Sequence, residues 1–480
     1  MQPSTWIAMH QSPRRTKIVA TWGPTVASEE RIRQLVQAGV DVFRLNFSHG
    51  THEQFSETIP LIRSIAKEEG RHVAFLQDIQ GPRLRTGILN GSKQVELKTG
   101  STVTIVTQDG TGTSERFAIA YPRLTQDVKP GHRILIADGT IALRAAAVEN
   151  GAIEATVLNG GMLGEHKGVN LPDSSVSAEP LTPKDEADLA FGVKMDVDYV
   201  ALSFVRRRDD VLACRRLVAR LGGRAPIISK IEHPEAITNL EEILAASDGI
   251  MVARGDLGVE VTAERVPLLQ KHMIQRCNEL GLPVITATQM LDSMIERPVP
   301  TRAEASDIAN AIFDGTDALM LSGETAAGKF PIHAVETMAR IAREAEAVDF
   351  PPLSYPTQEQ SHALARGARA LASHLAARAM LVFTRSGNSA QVLAQQRPTM
   401  PIYALSGSAA VCRRLMLWYG VHPIEMDLVE DVETMVQAGI RELLRRDVVD
   451  PGDRIVILGS SPVNVGGLPN FISVRTITTE

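Results

Sequence analysis

Cysteine is scarce in this 480-residue chain, and long apolar runs and one-sided charge are missing. The three cysteines, Cys214, Cys277 and Cys412, stand far apart, show no metal-ligand spacing and are odd in number, which argues against a disulfide scaffold and for a reducing compartment. No stretch reaches the roughly 18 apolar residues that a membrane-spanning helix needs. The opening MQPSTWIAMHQSPRRTK lacks the apolar centre of a signal peptide. Lys+Arg 50 against Asp+Glu 56 leaves a formal net charge of −6 without long single-sign runs, so no footprint for nucleic acid or an anionic membrane is present. No internal repeat or low-complexity tract occurs. These absences leave a soluble, cytoplasmic enzyme acting on small molecules as the expectation, and the length predicts several domains.

What is present is an alternation. Eight short apolar runs, KIVATWG at 17–23, DVFRLN at 41–46, HVAFLQD at 72–78, YVALSF at 199–204, PIISKIE at 226–232, GIMVARGD at 249–256, PVITAT at 283–288 and ALMLSGET at 318–325, are separated by helical patterns. Buried parallel strands read as nearly continuous apolar segments, and eight strand–helix units are what a (β/α)8 TIM barrel requires. Between the third and fourth runs, residues 88–168 change to short alternating strands with Gly, Asp and Asn turns, which predicts an inserted small β-barrel domain in the position of a lid. After residue 348 the stretch DFPPLSYPTQEQ reads as a linker, and a C-terminal α/β domain is expected beyond it. The expected organisation is therefore an α/β chain with a barrel at 1–87 and 169–348, an insertion at 88–168 and a C-terminal α/β domain at 349–480.

Polar groups inside apolar strands are costly unless partnered, so their positions are informative. They gather at strand C-terminal ends: Arg44, Asn46, Ser48 and His49 after the second run, Asp78 and Arg85 after the third, and Lys230 and Glu232 on the fifth. Asp256 follows the sixth, Thr288 the seventh, and Ser322 and Glu324 the eighth. The C-terminal face of a TIM barrel is where its active site lies. Capping or ion pairing explains any one of these positions but not six strands together. Glu232 and Asp256 on neighbouring strands would bring two carboxylates together, which suits a divalent cation such as Mg2+ or Mn2+ completed by water and substrate oxygens. Lys230, two residues before Glu232, points to the same face of its strand. A cation beside a metal suits phosphoryl transfer, which depends on positioning and charge stabilisation. Arg44 and Arg85 add planar donors for phosphate oxygens. The segment ARGDLGVE places two glycines around Asp256 in what reads as a loop entering a helix, which leaves backbone N–H groups available to a substrate carboxylate.

These residues belong to a longer series. TKIVATWGP, RLNFSHGTHE, GPRLRTG, KGVNLP, ISKIEHPEAI, SDGIMVARGDLGVEV, ATQMLDSM and PTRAEASDIANAIFDGTDALMLSGETA resemble the pyruvate kinase family, in that family's order from residue 16 to 327, and LVFTRSGNSA with RPTMPIYAL is similar to its regulatory domain. The resemblance implies transfer of the phosphoryl group of phosphoenolpyruvate to ADP, giving pyruvate and ATP, the last step of glycolysis. It implies that Arg44 and Lys230 contact the transferring group and that Glu232 and Asp256 hold the divalent metal. Ala253, Gly255, Asp256 and Thr288 would hold the substrate carboxylate, and Thr288 with Ser322 and Glu324 would protonate the enolate. Pro24, His49 and Lys167 fall at nucleotide contacts. The family also implies a homotetramer. Barrel lyases that bind pyruvate-like substrates, and a non-catalytic sensor of the same fold, are the competing readings.

Four departures stand out. Potassium-dependent members bind the ion with Asn, Ser and Asp side chains and a Thr carbonyl, with a Glu nearby. Here Asn46, Ser48 and Asp78 remain, but DIQGPRLRTG places Ile79 and Arg83 where those members have Thr and Glu. A guanidinium is permanently charged, so Arg83 is expected to replace the monovalent cation. Ala327 stands where the family often has Lys, with Lys329 the nearest substitute, and ILIADG lacks one acid of the family's ILIDDG. In the C-terminal domain Thr384, Arg385, Ser386, Gly387, Asn388 and Ser389 form a strand-to-helix loop suited to phosphate, and a sugar phosphate effector is expected there. The distal loop SSPVNVGGLPN differs from the pattern associated with fructose 1,6-bisphosphate.

Overall fold

The computed structural model describes residues 13–91, 94–107, 110–149, 151–348, 359–429, 431–460 and 469–478. Most of the expected linker at 349–360 and most of the loop at 460–470 lie outside the described residues, as do residues 1–12.

All eight apolar runs are strands: Lys17–Thr21, Val42–Asn46, Ala74–Asp78, Tyr199–Leu202, Ile227–Ile231, Gly249–Ala253, Val284–Ala287 and Ala318–Leu321. They form a closed barrel in sequential order, with the first strand parallel to both the second and the eighth. Seven of the eight are buried along their whole length, while Val42–Asn46 leaves Arg44 and Asn46 half-buried. Local chemistry sets the helix ends. Ser28 caps Glu29–Ala38 by accepting from the Arg31 amide, and Gly39 ends that helix at φ 107°, where a side chain would be strained. Thr51 with Gln54, and Thr301 with Glu304, make capping boxes at the starts of His52–Glu68 and Arg302–Asp314.

The insertion is strand-rich. Its strands make a six-stranded sheet and a separate two-stranded one around a core that includes Val103, Ile105, Phe117, Ile134, Leu143 and Ile153. Its pairing runs slightly past the expected limits, since Arg85 bridges Gly168 and the strand Val169–Asn170 pairs with Arg133–Ile136. The C-terminal region carries a five-stranded sheet, parallel except for the edge strand Phe471–Thr476, with helices Gln360–His374, Asn388–Gln395, Ala409–Leu415 and Val432–Arg445. By internal contacts the chain divides into two compact units, one of residues 1–77, 195–200 and 271–480, the other of residues 78–194 and 201–270.

Within the first unit a buried charge cluster joins the barrel to the C-terminal domain. Asp41 accepts from Arg14 (2.7 Å) and from the Ile18 amide (2.8 Å), and Arg71 stands 3.7 Å away. Lys17, 1% exposed, donates to the Val421 carbonyl at 2.5 Å. Nearby, Arg413 binds Asp198 (2.8 Å) and Asp196 (2.6 Å), and burial raises Asp198 to about 6. Burial also holds the Lys17 ammonium down to about 8, against 10.5 for an ordinary lysine, and the pull of Asp41 only partly offsets it. Between those values the unfolded chain binds the extra proton, so this group makes stability rise with pH across that window. Lys17→Met should therefore leave the melting temperature at neutral pH unchanged or higher and abolish that alkaline rise in scanning calorimetry. Asp41→Asn, which strands Arg14 and Arg71 without a counter-charge, should cost about 3–5 kcal/mol. A clear drop in melting temperature for Lys17→Met would show the lysine to be a net stabiliser and overturn this account.

Candidate active site

In the second unit the fifth strand presents Lys230, with Glu232 one step beyond its end. Spaced two apart, they share a face, and Lys230 Nζ lies 2.9 Å from Glu232 Oε1. The same ammonium donates to Ser203 Oγ at 2.8 Å and lies 3.3 Å from Asp78 Oδ1. Lys230 is 9% exposed and Glu232 2%, so the three acceptors hold the lysine in one place in a poorly solvated setting. Ser203 in turn donates to the Ile79 carbonyl at 2.7 Å, and Glu232 Oε2 accepts from the Phe204 amide at 2.8 Å. Burial pushes the Glu232 carboxyl up, Lys230 opposes this, and nearby Asp256 adds to it. That mutual repulsion is what a divalent cation relieves, and the oxygen donors of Glu232 and Asp256 fit Mg2+ or Mn2+. Among the described residues no group of three or more His, Cys, Asp or Glu gathers as a metal cage. Two protein carboxylates with substrate and water oxygens therefore form the donor set that fits. Asp256 was expected in a loop entering a helix. It sits instead within the first turn of the helix Arg254–Glu260, which starts directly after the sixth strand, following Ala253 and including Gly255.

In the first unit Arg44 is half-buried and its Nη1 donates to Thr21 Oγ1 at 3.1 Å. Asn46 Oδ1 accepts from the Ser48 amide at 3.1 Å, and its carbonyl accepts from the His49 and Gly50 amides, which turns the chain sharply after the second strand. Thr288 has φ 69° and Gln289 φ 54°. A β-branched residue in this region is strained, and such strain concentrates where the backbone is held for function. The Thr288 hydroxyl donates to the Ala287 carbonyl at 2.6 Å. Glu324 was expected in the proton path. Both its oxygens accept from backbone amides, Oε1 from Leu291 at 3.0 Å and Oε2 from Ser322 at 2.7 Å, so it ties together the loops after the seventh and eighth strands. The Ser322 hydroxyl, by contrast, is buried with no hydrogen-bond partner among the described residues. Gly23 permits the close fit of this region, because a Cβ there would stand 2.5 Å from the Ala326 carbonyl oxygen.

The expected nucleotide contacts, Pro24, His49 and Lys167, are all exposed. Arg85 donates to the His166 carbonyl at 2.8 Å, and burial followed by the charge of Arg83 lowers its pKa. The Arg83 guanidinium packs beside Gly168, within 3.5 Å of where a Cβ would stand. Lys329 pairs with Glu296, both exposed. Asp78 and Ile79, expected around a monovalent cation, have the contacts to Lys230 and Ser203 already described. Sequence reasoning missed Ser203 and Phe204. The only available signal was a serine ending an apolar run, whereas φ 55° at Phe204, which aims its amide at Glu232, left none. In the C-terminal domain Thr384 Oγ1 accepts from the Gly387 amide at 2.9 Å, Gly387 has φ 98°, and Arg385, Ser386 and Asn388 are exposed at the start of the helix, while Ser389 is half-buried.

The family model described as "Pyruvate kinase, barrel domain" matches residues 13–335, and "Pyruvate kinase, alpha/beta domain" matches residues 362–475. The chain is 47% identical to the pyruvate kinase of Geobacillus stearothermophilus over 97% of its own length and 81% of that protein. It is 43% identical to that of Clostridium acetobutylicum over 97% and 100%, and 43% identical to that of Corynebacterium glutamicum over 97% and 98%. With a lysine fixed between carboxylates at the mouth of a closed eight-stranded barrel and family matches to both barrel and α/β domain, the chain belongs to the pyruvate kinase family, enzymes that transfer phosphoryl between phosphoenolpyruvate and ADP.

Proposed function

We propose that Lys230 is the main electrostatic group in transfer of the phosphoryl group from phosphoenolpyruvate to ADP. The observation that carries this is its fixed, buried ammonium, held by Ser203 and Glu232 with Asp78 alongside. A β-phosphate oxygen of ADP attacks the phosphorus, the bond from phosphorus to the enol oxygen breaks, and the electron pair stays on that oxygen as an enolate. Lys230 and Arg44 stabilise the negative charge of the group in flight, and Lys230 then stabilises the enolate. Protonation at the methylene carbon gives pyruvate. Thr288 and the unpartnered hydroxyl of Ser322 are the groups we assign to deliver that proton through water, with Glu324 fixing their loops. The backbone at Ala253, Gly255 and Asp256 receives the carboxylate. Glu232 and Asp256 would hold Mg2+ or Mn2+, which supplies Lewis-acid neutralisation of substrate oxygens.

Pro24, His49 and Lys167 are nucleotide contacts in this reading, and the insertion serves as a lid that excludes water which would otherwise intercept the phosphoryl group. Arg83, standing where a potassium-dependent enzyme has an acid, replaces the monovalent cation otherwise bound by Asn46, Ser48, Asp78 and the Ile79 carbonyl. The loop Thr384–Ser389 binds a sugar phosphate effector, supported by its exposed Arg385, Ser386 and Asn388. A cytoplasmic homotetramer completes the reading. Among the described residues no helix is long and apolar enough to cross a membrane.

The test is the initial rate of pyruvate formation from phosphoenolpyruvate and ADP with Mg2+, in potassium-free and potassium-rich buffer. Equal rates are expected, with Arg83→Glu acquiring potassium activation. Strong potassium activation of the unaltered enzyme would remove the role given to Arg83, and absence of pyruvate would remove the activity itself.

A further inference from the structure

The chain leaves the insertion through Val169–Asn170, the short strand paired with Arg133–Ile136. Two side-chain ties hold this exit. Just downstream, Asp173 binds Arg133 in two-pronged fashion, at 2.7 and 3.0 Å, and accepts from its amide at 2.9 Å, which fastens the exit to the insertion's own sheet. On the other side, Asn170 Nδ2 donates to Glu260 Oε1 at 2.6 Å. Glu260 is the last residue of the helix Arg254–Glu260, whose first turn carries Asp256. The exit strand is thus bonded directly to the helix that bears a proposed metal ligand.

Glu260 is a costly residue to place here. It is 6% exposed, no cation pairs with it among the described residues, and its second oxygen, Oε2, has no hydrogen-bond partner there. Glu260 lines a cleft together with Leu84, Val169, Leu171 and Phe204. Burial raises its carboxyl to about 7, Asn170 opposes the rise, and Asp256 adds to it, with Arg133 and Asp173 as weaker charged neighbours. A buried, half-satisfied carboxyl destabilises the fold. Packing therefore gives no reason for an acid here, whereas the bond to Asn170 does.

We propose that Glu260 is a positioning residue which, through Asn170, couples the pose of the insertion to the pose of the Asp256 helix. Movement of the exit strand is then transmitted to the helix turn that presents Asp256, and seating of substrate at that turn is transmitted back to the insertion. This rests on the reading of Asp256 as a metal ligand and of the insertion as a lid. It adds a residue that touches neither nucleotide nor metal.

The test uses Glu260→Ala, Asn170→Ala, their double variant and Glu260→Gln. Glutamine keeps an oxygen that accepts from Asn170 Nδ2, so the tie survives while the charge is removed. Breaking the tie should raise the apparent KM for ADP and the half-saturating Mg2+ concentration by about tenfold, with kcat changed by less than about threefold, as is typical when a group that orients a ligand is lost. The double variant should be no worse than either single one, because both remove the same bond. Glu260→Gln should restore both constants to within about twofold. Independently of turnover, amide hydrogen exchange across residues 167–173 should quicken in both alanine variants and not in the glutamine one. Unchanged constants in folded Asn170→Ala, additive effects in the double variant, or a glutamine variant as impaired as the alanine one would each overturn the proposal. If Glu260→Ala does not fold, Asn170→Ala with Glu260→Gln decides the matter alone. Should the unaltered enzyme form no pyruvate, the proposed function fails, and the exchange measurement still tests the tie.

Discussion

Lys230→Met should lower kcat by about 10^3-fold, the usual loss when a preorganised group that stabilises developing charge is removed from a water-poor site. Methionine nearly matches the length of lysine and removes only the charge and the donors. The effect should fall mainly on kcat, because the ammonium does more for the transferring group and the enolate than for bound phosphoenolpyruvate. A second readout separates the two roles. If the same ammonium stabilises the enolate, deuterium incorporation into the methyl group of pyruvate, followed by NMR, should slow as well. A variant that loses phosphoryl transfer but exchanges deuterium at the original rate would confine Lys230 to the first step. Retained turnover would reject the assignment altogether. Because Asp78 and Glu232 lose their cation in this variant, its fold should be checked by circular dichroism before kinetics are interpreted.

Glu232→Gln addresses the metal. Glutamine can still accept from the Phe204 amide that Glu232 Oε2 holds at 2.8 Å, so the loop after the fourth strand should stay in place. What is lost is one of two carboxylates, together with the ion pair to Lys230 at 2.9 Å. The half-saturating Mg2+ concentration should rise by well over tenfold, since even partners outside the ligand set are worth about 10–100-fold. Direct titration with Mn2+, followed by electron paramagnetic resonance without substrate, measures this apart from turnover. An unchanged Mn2+ affinity would mean that Glu232 serves only as the counter-charge of Lys230, and the divalent site would have to be sought elsewhere.

The barrel was legible because a parallel strand buried on both faces has little choice but to be apolar, and each of the eight apolar runs became a strand within a few residues of its expected limits. The facing of Lys230 and Glu232 followed from the two-residue period of a strand alone. Other features had no local signal. That Ser203 would be the nearest partner of Lys230 depends on the fourth strand lying beside the fifth. That Glu324 would bind two backbone amides depends on how the loops after strands seven and eight meet. The left-handed backbone at Thr288 and Phe204 runs against the preferences of both residue types, so sequence pattern points away from it. Asp256 was expected in a loop because two glycines flank it, yet the helix begins at Arg254, since helical hydrogen bonding there outweighs the modest penalty of glycine.

By itself the sequence determined the fold class, the order of the elements, the strand ends that carry the candidate site residues, and the family. These follow from periodicity and from motif residues that act locally. Only the tertiary structure decided which side chains became partners: Lys230 with Ser203, Asn170 with Glu260, Lys17 with the Val421 carbonyl. The physical reason is that such contacts join residues between 27 and 404 positions apart, and their free energy exists only after the strands have closed and water has been excluded.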